Sequence, residues 1–261
     1  MQISSIDTQK IVDYIESRTN LAKEPVKIKT VKYDLIALRL VLKYCILKKW
    51  IDALPLFPQT KREPTNPRPW FELDEWKKLT KQSRVRIKEA VDNKLKWQRE
   101  QLHDFMVFMV HTGLRVSECL SLRYSVIKIK KKSDGTAEVN FEVKGKTGFR
   151  RVRGLVGAVR AYERLKKRNK GYKKTDLLFP KNHKDGLNNL LAETNLKLDK
   201  QGRVRNSKSF RSTFIMFRLL ANVSIDKIAT NCGTSSTIIE KYYAKYINID
   251  MMGDSFTDLP E

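Results

Sequence analysis

The sequence predicts a mainly α-helical protein with one small antiparallel three-stranded sheet, an α+β chain. Three observations carry that prediction. Along most of the chain apolar residues recur every three or four positions, the spacing of a helix face. Between positions 123 and 152 the spacing changes to alternation, broken by tight-turn residues. The 261 residues are 41% hydrophobic, which is ample for a packed core and excludes a globally disordered chain.

Residues 6–19 read as an amphipathic helix with Ile6, Ile11, Val12 and Ile15 on one side. After a Lys/Glu/Pro stretch, Thr30 is expected to cap a stronger helix running to about Trp50, striped by Leu35, Leu38, Leu42 and Cys45. Its lysines, among them Lys32 and Lys43, lie largely off that stripe, as a solvated face or as a clamp on a nucleic-acid backbone. Five of the eight prolines fall between Pro55 and Pro69, mixed with Lys61, Arg62 and Arg68. Proline stiffens an extended segment and stops helices, so the expected domain boundary lies here. The expected division is a helical domain over 1–54, a basic Pro-rich linker over 55–69, a larger domain over 70–246 and an acidic tail over 247–261.

The larger domain opens with FELDEWKKL, a helix start with acids in its first turn. Residues 98–111 are too apolar for a surface helix and are expected in the core, ending where Gly113 can adopt a left-handed conformation. LRVSECLSL restarts a short helix. Strands are expected over 123–130 and 137–144, joined through Ser133-Asp134-Gly135, with Val139, Phe141 and Val143 on one face. A GKTG turn leads to a third strand through Arg150, Arg151 and Val152. Helices follow at GAVRAYERLKKR, near 187–197, and through the stretch from Lys208 to Tyr246.

Charge narrows the function. There are 53 basic and 29 acidic side chains, a net of +24, and an excess of this size points to a polyanionic partner, usually nucleic acid. The basic residues concentrate in 66–246, while the last fifteen residues carry four acids and no base. Cys45, Cys119 and Cys232 are far apart within helical patterns, which reads as buried free thiols in a reducing compartment. The three histidines show no metal-ligand spacing. With no apolar signal region and no run of eighteen apolar residues, a soluble cytoplasmic protein without a membrane partner is expected.

Four short pieces meet chemistry. Arg115 sits at a helix start in HTGLRVSECLSL, three residues before Glu118. Lys146 sits at a hairpin tip in GKTGFRR. Arg211 follows Lys208 by three residues in KSFRSTF, on the same helix face. GTSSTIIEKYY places a tyrosine ten residues after the helix-terminating Gly233. Each piece alone is weak, since buried arginines usually pair with carboxylates and hairpin lysines are usually solvated. Their order is much more specific: cations to hold a phosphodiester and a phenol to attack its phosphorus.

From about Thr30 to Tyr246 the chain resembles the tyrosine recombinases, the integrase family of phages and mobile elements. The resemblance implies a catalytic domain preceded by a short helical core-binding domain, the two closing as a clamp on duplex DNA. It implies Tyr243 as nucleophile rather than Tyr242, Arg115 and Arg211 as catalytic arginines, Glu118 as a supporting acid, and Lys146 as catalytic lysine with Lys144 second to it. Lys208 and Thr234 stand where the family usually has histidine, and Ser212 where another often follows the second arginine. Lysine ordinarily donates hydrogen bonds rather than accepting a proton, so Lys208 is expected to act electrostatically. Lys32, Lys43, Lys61, Arg62, Lys144 and Arg150 are the expected DNA contacts. The implied activity is site-specific recombination through a 3′-phosphotyrosyl link, with no cofactor, on double-stranded DNA bearing recombination sites. A homo-tetramer on DNA and accessory DNA-bending proteins are the implied assembly. Two other readings stay open: a DNA-binding protein on the same fold that has lost cleavage, and a type IB topoisomerase-like enzyme.

Overall fold

The computed structural model describes residues 3–21, 26–59, 68–133, 135–145, 148–244 and 247. The chain divides into two units, Met1–Thr65 and Asn66–Glu261.

In the first unit, α1 (Thr8–Glu16) is capped by Asp7, whose carboxylate accepts from the Lys10 amide at 2.8 Å. The expected helix over 6–19 stops short, because Ser17–Leu21 widens into a π-type turn. α2 spans Ile28–Leu47 with Lys27 as its cap, so Thr30 lies inside the first turn and does not cap the helix. Burial accounts for the earlier start: Ile28 packs against the small core of Ile11, Val31 and Leu35, beside Ile15 and Leu38. Partial burial of one more aliphatic is comparable with a threonine cap of roughly 1 kcal/mol.

The second unit begins with α3 (Leu73–Lys88), where the Glu75 carboxylate accepts from the Glu72 amide at 2.8 Å. α4 (Asn93–Thr112) is the central rod. Every residue from Gln101 to Val110 on it is buried, as the unbroken apolar run from Phe105 to Val110 requires of its part. α3, α6 (Val156–Arg168), α8 (Lys208–Leu220) and the sheet pack around it, with Phe108 stacked on Phe141 at 6.0 Å. Two of the polar residues that α4 buries are partnered, Ser83 Oγ lying 3.1 Å from His103 and Asp104 binding Arg164 and Arg168, while the Gln101 side chain, also buried, makes no hydrogen bond among the described residues. α4 ends at Gly113, in the left-handed region at φ 69°, and α5 (Val116–Leu120) restarts at once.

The sheet is antiparallel, in the order β1 (Lys128–Lys131), β2 (Ala137–Gly145), β3 (Gly148–Gly154), with Val143 opposite Arg150. The first strand is shorter than expected, because Tyr124–Val126 forms a 3-10 turn. The amides of Tyr124 and Ser125 donate to Asp176 and Lys174 carbonyls, and Tyr124 stacks on Tyr172 at 4.1 Å, so this segment's donors go to a loop rather than the sheet. Asp134 of the expected turn lies outside the described residues, while Gly135 takes φ 74°.

α7 (Lys184–Glu193) lies a few residues earlier than expected, stopped where Asn195 enters the left-handed region at φ 55°. Arg205, almost wholly buried, then ties the approach to α8 onto the carbonyls of Trp70 and Leu198 and the carboxylate of Glu75. α9 (Ile225–Cys232) ends at Gly233, again left-handed at φ 64°, and α10 (Ser236–Tyr242) completes the described fold. Cys45, Cys119 and Cys232 are buried free thiols. Among the described residues no helix is long and apolar enough to cross a membrane.

Candidate functional site

Three helix junctions converge on one spot: the end of α4, the start of α8 and the end of α9. The last carbonyls of a helix have no intrahelical partner and carry partial negative charge, so a helix end attracts cations. At the end of α9 three successive carbonyls each hold one arginine. Asn231 accepts from Arg150 Nε at 3.1 Å, Cys232 from Arg211 Nη1 at 2.7 Å, and Gly233 from Arg115 Nη2. Arg211 Nη1 also donates to Gly113 at the end of α4, at 2.9 Å. Both glycines are in the left-handed region, which lets the chain turn away while these carbonyls stay aimed inward.

Glu118 is the anion among these cations. Its Oε1 accepts from Arg115 Nη1 and Arg150 Nη1, each at 2.8 Å. Its Oε2 accepts from the Arg115 amide at 2.8 Å and Arg150 Nη2 at 2.7 Å. Burial pushes this carboxyl up, but the hydrogen bonds from Arg150 and from the backbone and side chain of Arg115 outweigh it and leave its pKa at about 2. One carboxylate against three guanidiniums leaves the cluster strongly positive. Arg211 is only 7% exposed, and burial lowers its pKa, yet a guanidinium remains a cation in a protein. The Arg115 side chain stays 41% exposed. Two arginines held this way, one deep and one open, can grip the oxygens of a phosphodiester.

Tyr243 follows α10 and is 1% exposed. It belongs to the apolar cluster of Phe214, Ile215, Met216, Ile228 and Ile239, and its hydroxyl lies 3.3 Å from Ser212 Oγ. Ser212 neighbours Arg211 in sequence but points about 100° away around α8. Tyr242 is half-buried, its ring faced by Arg68 at 5.6 Å and Lys241 at 5.8 Å.

The remaining expected residues are placed as follows. Lys208 is exposed at the first residue of α8, one helical turn before Arg211. Thr234 is half-buried beside Gly233, its amide bonded to the Ala229 carbonyl at 3.1 Å. Lys146 lies outside the described residues, between the paired Gly145 and Gly148. Lys144 is exposed on β2, with Nζ 6.0 Å from the Phe149 ring. In the first unit Lys43 is exposed and Lys32 half-buried on α2, while Lys61 and Arg62 lie outside the described residues.

Arg150, expected among the DNA contacts, points inward and binds Glu118. Strand parity is the physical reason and was a usable signal. Arg150 shares its face with the buried Val152, whereas Arg151 and Arg153 share the exposed one. Asn231 was missed altogether. Besides its carbonyl, its side chain accepts from the Arg153 amide at 2.8 Å and donates to the Thr112 carbonyl at 3.1 Å, sewing α9 to β3 and α4. Nothing in its sequence context marks those partners.

The sequence model of the phage integrase family matches residues 69–246, which include each arginine of the cluster and Tyr243. The chain belongs to the phage integrase family. Solved tyrosine recombinases share the fold of this family member across nearly its whole length. XerH site-specific recombinase bound to difH substrate matches with a TM-score of 0.67 at 16% identity, over 97% of this chain and 70% of that one. The Tn1549 transposon integrase in complex with circular intermediate DNA matches with 0.67 at 16% identity, over 98% and 86%. A lambda integrase dimer bound to a COC′ core site matches with 0.66 at 15% identity, over 99% and 68%. The search of curated proteins found no match.

Proposed function

We propose that this integrase-family protein is a site-specific DNA recombinase that cuts and rejoins duplex DNA through Tyr243. The observation that carries the reading is the convergence of Arg115 and Arg211 on the 231–233 turn, a preformed cationic seat. The phenol oxygen attacks the scissile phosphorus, its proton passes to solvent, and the bond to the 5′ oxygen breaks as the 3′-phosphotyrosyl bond forms. Lys146 protonates the departing 5′ oxygen, which leaves as a 5′-hydroxyl. Arg115 and Arg211 hold the non-bridging oxygens as charge builds in the pentacovalent state, with Lys208 and Thr234 adding hydrogen bonds. A 5′-hydroxyl from a partner strand then reverses the step. One phosphoester replaces another at each stage, so the reaction needs no nucleotide energy, and guanidiniums rather than a metal supply the positive charge. The proposed substrate is a pair of specific duplex sites held by a homo-tetramer, with DNA-bending proteins as accessories; DNA contacts include Lys32, Lys43, Lys61, Arg62 and Lys144.

A nicked duplex that loses its 5′-hydroxyl fragment after cutting traps the covalent adduct. Adduct with the parent protein and none with Y243F supports the reading. Specific binding with no adduct would instead support a DNA-binding protein without cleavage, the reading that the burial of Tyr243 favours. Adduct with relaxation of supercoiled DNA and no joining of two sites would mark a topoisomerase-like enzyme.

A further inference from the structure

Arg150 carries more of this site than its place on the third strand suggests. A carboxylate has about four lone-pair positions, and Glu118 has four donors, two of them from Arg150 at 2.7 and 2.8 Å. Arg150 itself is committed at all three nitrogens: two to Glu118, and Nε to the Asn231 carbonyl. Its side chain is only 14% exposed, against 41% for Arg115. The two arginines flank the same carboxylate, yet only one of them is open to a ligand.

The wall around Arg150 is built for it. A Cβ on Gly233 would lie 2.7 Å from Arg150 Nε, and one on Gly145 3.3 Å from its Nη1, so two glycines clear the space its guanidinium occupies. Gly233 also supplies the carbonyl that holds Arg115. A fork that satisfies both carboxylate oxygens in one plane needs a guanidinium, because lysine offers only a point charge.

These contacts have a consequence for Arg115. Glu118 binds Arg115 through one guanidinium nitrogen, and its other bond to Arg115 is to the backbone. Without Arg150, an unsaturated buried carboxylate beside an arginine would take that guanidinium in the two-pronged geometry such pairs prefer. The N–H groups that should meet a phosphate would then face Glu118.

We propose that Arg150 is a positioning residue for Arg115. It saturates Glu118, so that the carboxylate anchors Arg115 at one nitrogen and the N–H groups taken neither by Glu118 nor by the Gly233 carbonyl stay open to the scissile phosphate. The proposal rests on the strand-cleavage reading for its kinetic consequence and on geometry alone for its arrangement.

The test is single-turnover adduct formation on saturating nicked duplex, with equilibrium DNA binding, for the parent, R150A, R150K, E118Q and R150A/E118Q. R150A is expected to slow adduct formation about 100-fold, the scale of an ångström-sized misplacement, with little change in DNA affinity. R150K should recover only part of the rate. In the R150A background, E118Q should recover about tenfold, because it removes the competing charge; a residue of merely structural role gives no such rescue. An R150A rate equal to the parent overturns the proposal, and so does a slow R150A that E118Q leaves slow. An affinity loss that accounts for the whole defect makes Arg150 a DNA contact and also overturns it. If the parent forms no adduct, the cleavage reading fails and the arrangement is read separately. The Glu118 carboxyl carbon resonance, titrating at about 2 in the parent, should move up in R150A, with a shift in the Arg115 guanidinium nitrogens. Unchanged resonances overturn the arrangement as well.

Discussion

Three arginines and one glutamate line the candidate site, and what each can do depends on how many of its hydrogen-bonding groups are already engaged. Arg211 gives one nitrogen to two carbonyls and keeps the others, and Arg115 divides two between Glu118 and Gly233. Removing either should cost transition-state stabilisation more than binding. R115A and R211A are each expected to lower the single-turnover adduct rate by about 10²–10³-fold, with DNA affinity largely retained. Equal losses in rate and affinity would assign them to ground-state binding instead. Lys208→Ala should cut the rate less, about tenfold, since it acts by charge from an exposed position; a rate equal to the parent would remove Lys208 from the mechanism. Arg115, Arg211 and Tyr243 stood out as candidates in short local motifs. The inward direction of Arg150 was half-legible, through its parity with Val152, but its partner on α5 was not.

At the scale of elements, the ends of α4 and α9 matter more than their lengths. Gly113 and Gly233 turn the chain out of each helix and leave the carbonyls that seat the arginines. A Cβ on Gly113 would lie 2.4 Å from the Phe214 ring and 2.9 Å from Cys232 Sγ, besides the strain of its left-handed backbone. Gly113→Ala is therefore expected to destabilise the protein by roughly 2–4 kcal/mol, read from the denaturant midpoint; a change below measurement error would show that α8 yields freely. α10 poses the opposite case. A phenol that is 1% exposed cannot meet a phosphate, so α10 has to leave the Phe214 and Ile215 surface before attack. The Tyr243 amide, bonded to the Ile239 carbonyl at 2.9 Å, should lose hydrogen-exchange protection when specific duplex is added. Unchanged protection in a complex that forms adduct would rule that movement out. The glycines were readable as helix stops, whereas the burial of Tyr243 was not, because most of its apolar cluster comes from α8 and α9.

For the whole molecule, a net charge of +24 implies affinity dominated by phosphate contacts. If 6–10 phosphates are neutralised, DNA binding should fall by about 10³–10⁵ between 50 and 200 mM salt; a flat salt dependence would make the excess charge incidental. Stability should also depend on pH in a defined window. Burial holds His103 and His111 at about 4, with nearby arginines adding to the effect. As pH falls below the ordinary histidine value of about 6.5, the unfolded chain takes protons that the native state refuses, so stability drops until about 4. Asp104 works the other way. Burial raises it to about 6, against the pull of Arg168 and Arg164, so the native state takes that proton first and gains stability as pH falls. Burial lowers His183 as well, so three histidines oppose one aspartate, and the melting temperature should decline from pH 6.5 to 4, less steeply in H103N/H111N. A melting temperature flat over that range would contradict the assignment.

By itself the sequence determined the helix and strand classes, the two glycine stops, the basic character and the order of the candidate catalytic residues. Each of these rests on local periodicity, turn chemistry or composition, which involve residues a few positions apart. Only the tertiary structure decided that Arg150 meets Glu118 across 32 positions and that Arg115 meets the Gly233 carbonyl across 118. It also decided that Tyr243 lies against Ser212, 31 positions away. Those pairings come from how α4, α8, α9 and β3 pack, and a buried carboxylate or phenol takes whichever partners that packing brings within reach.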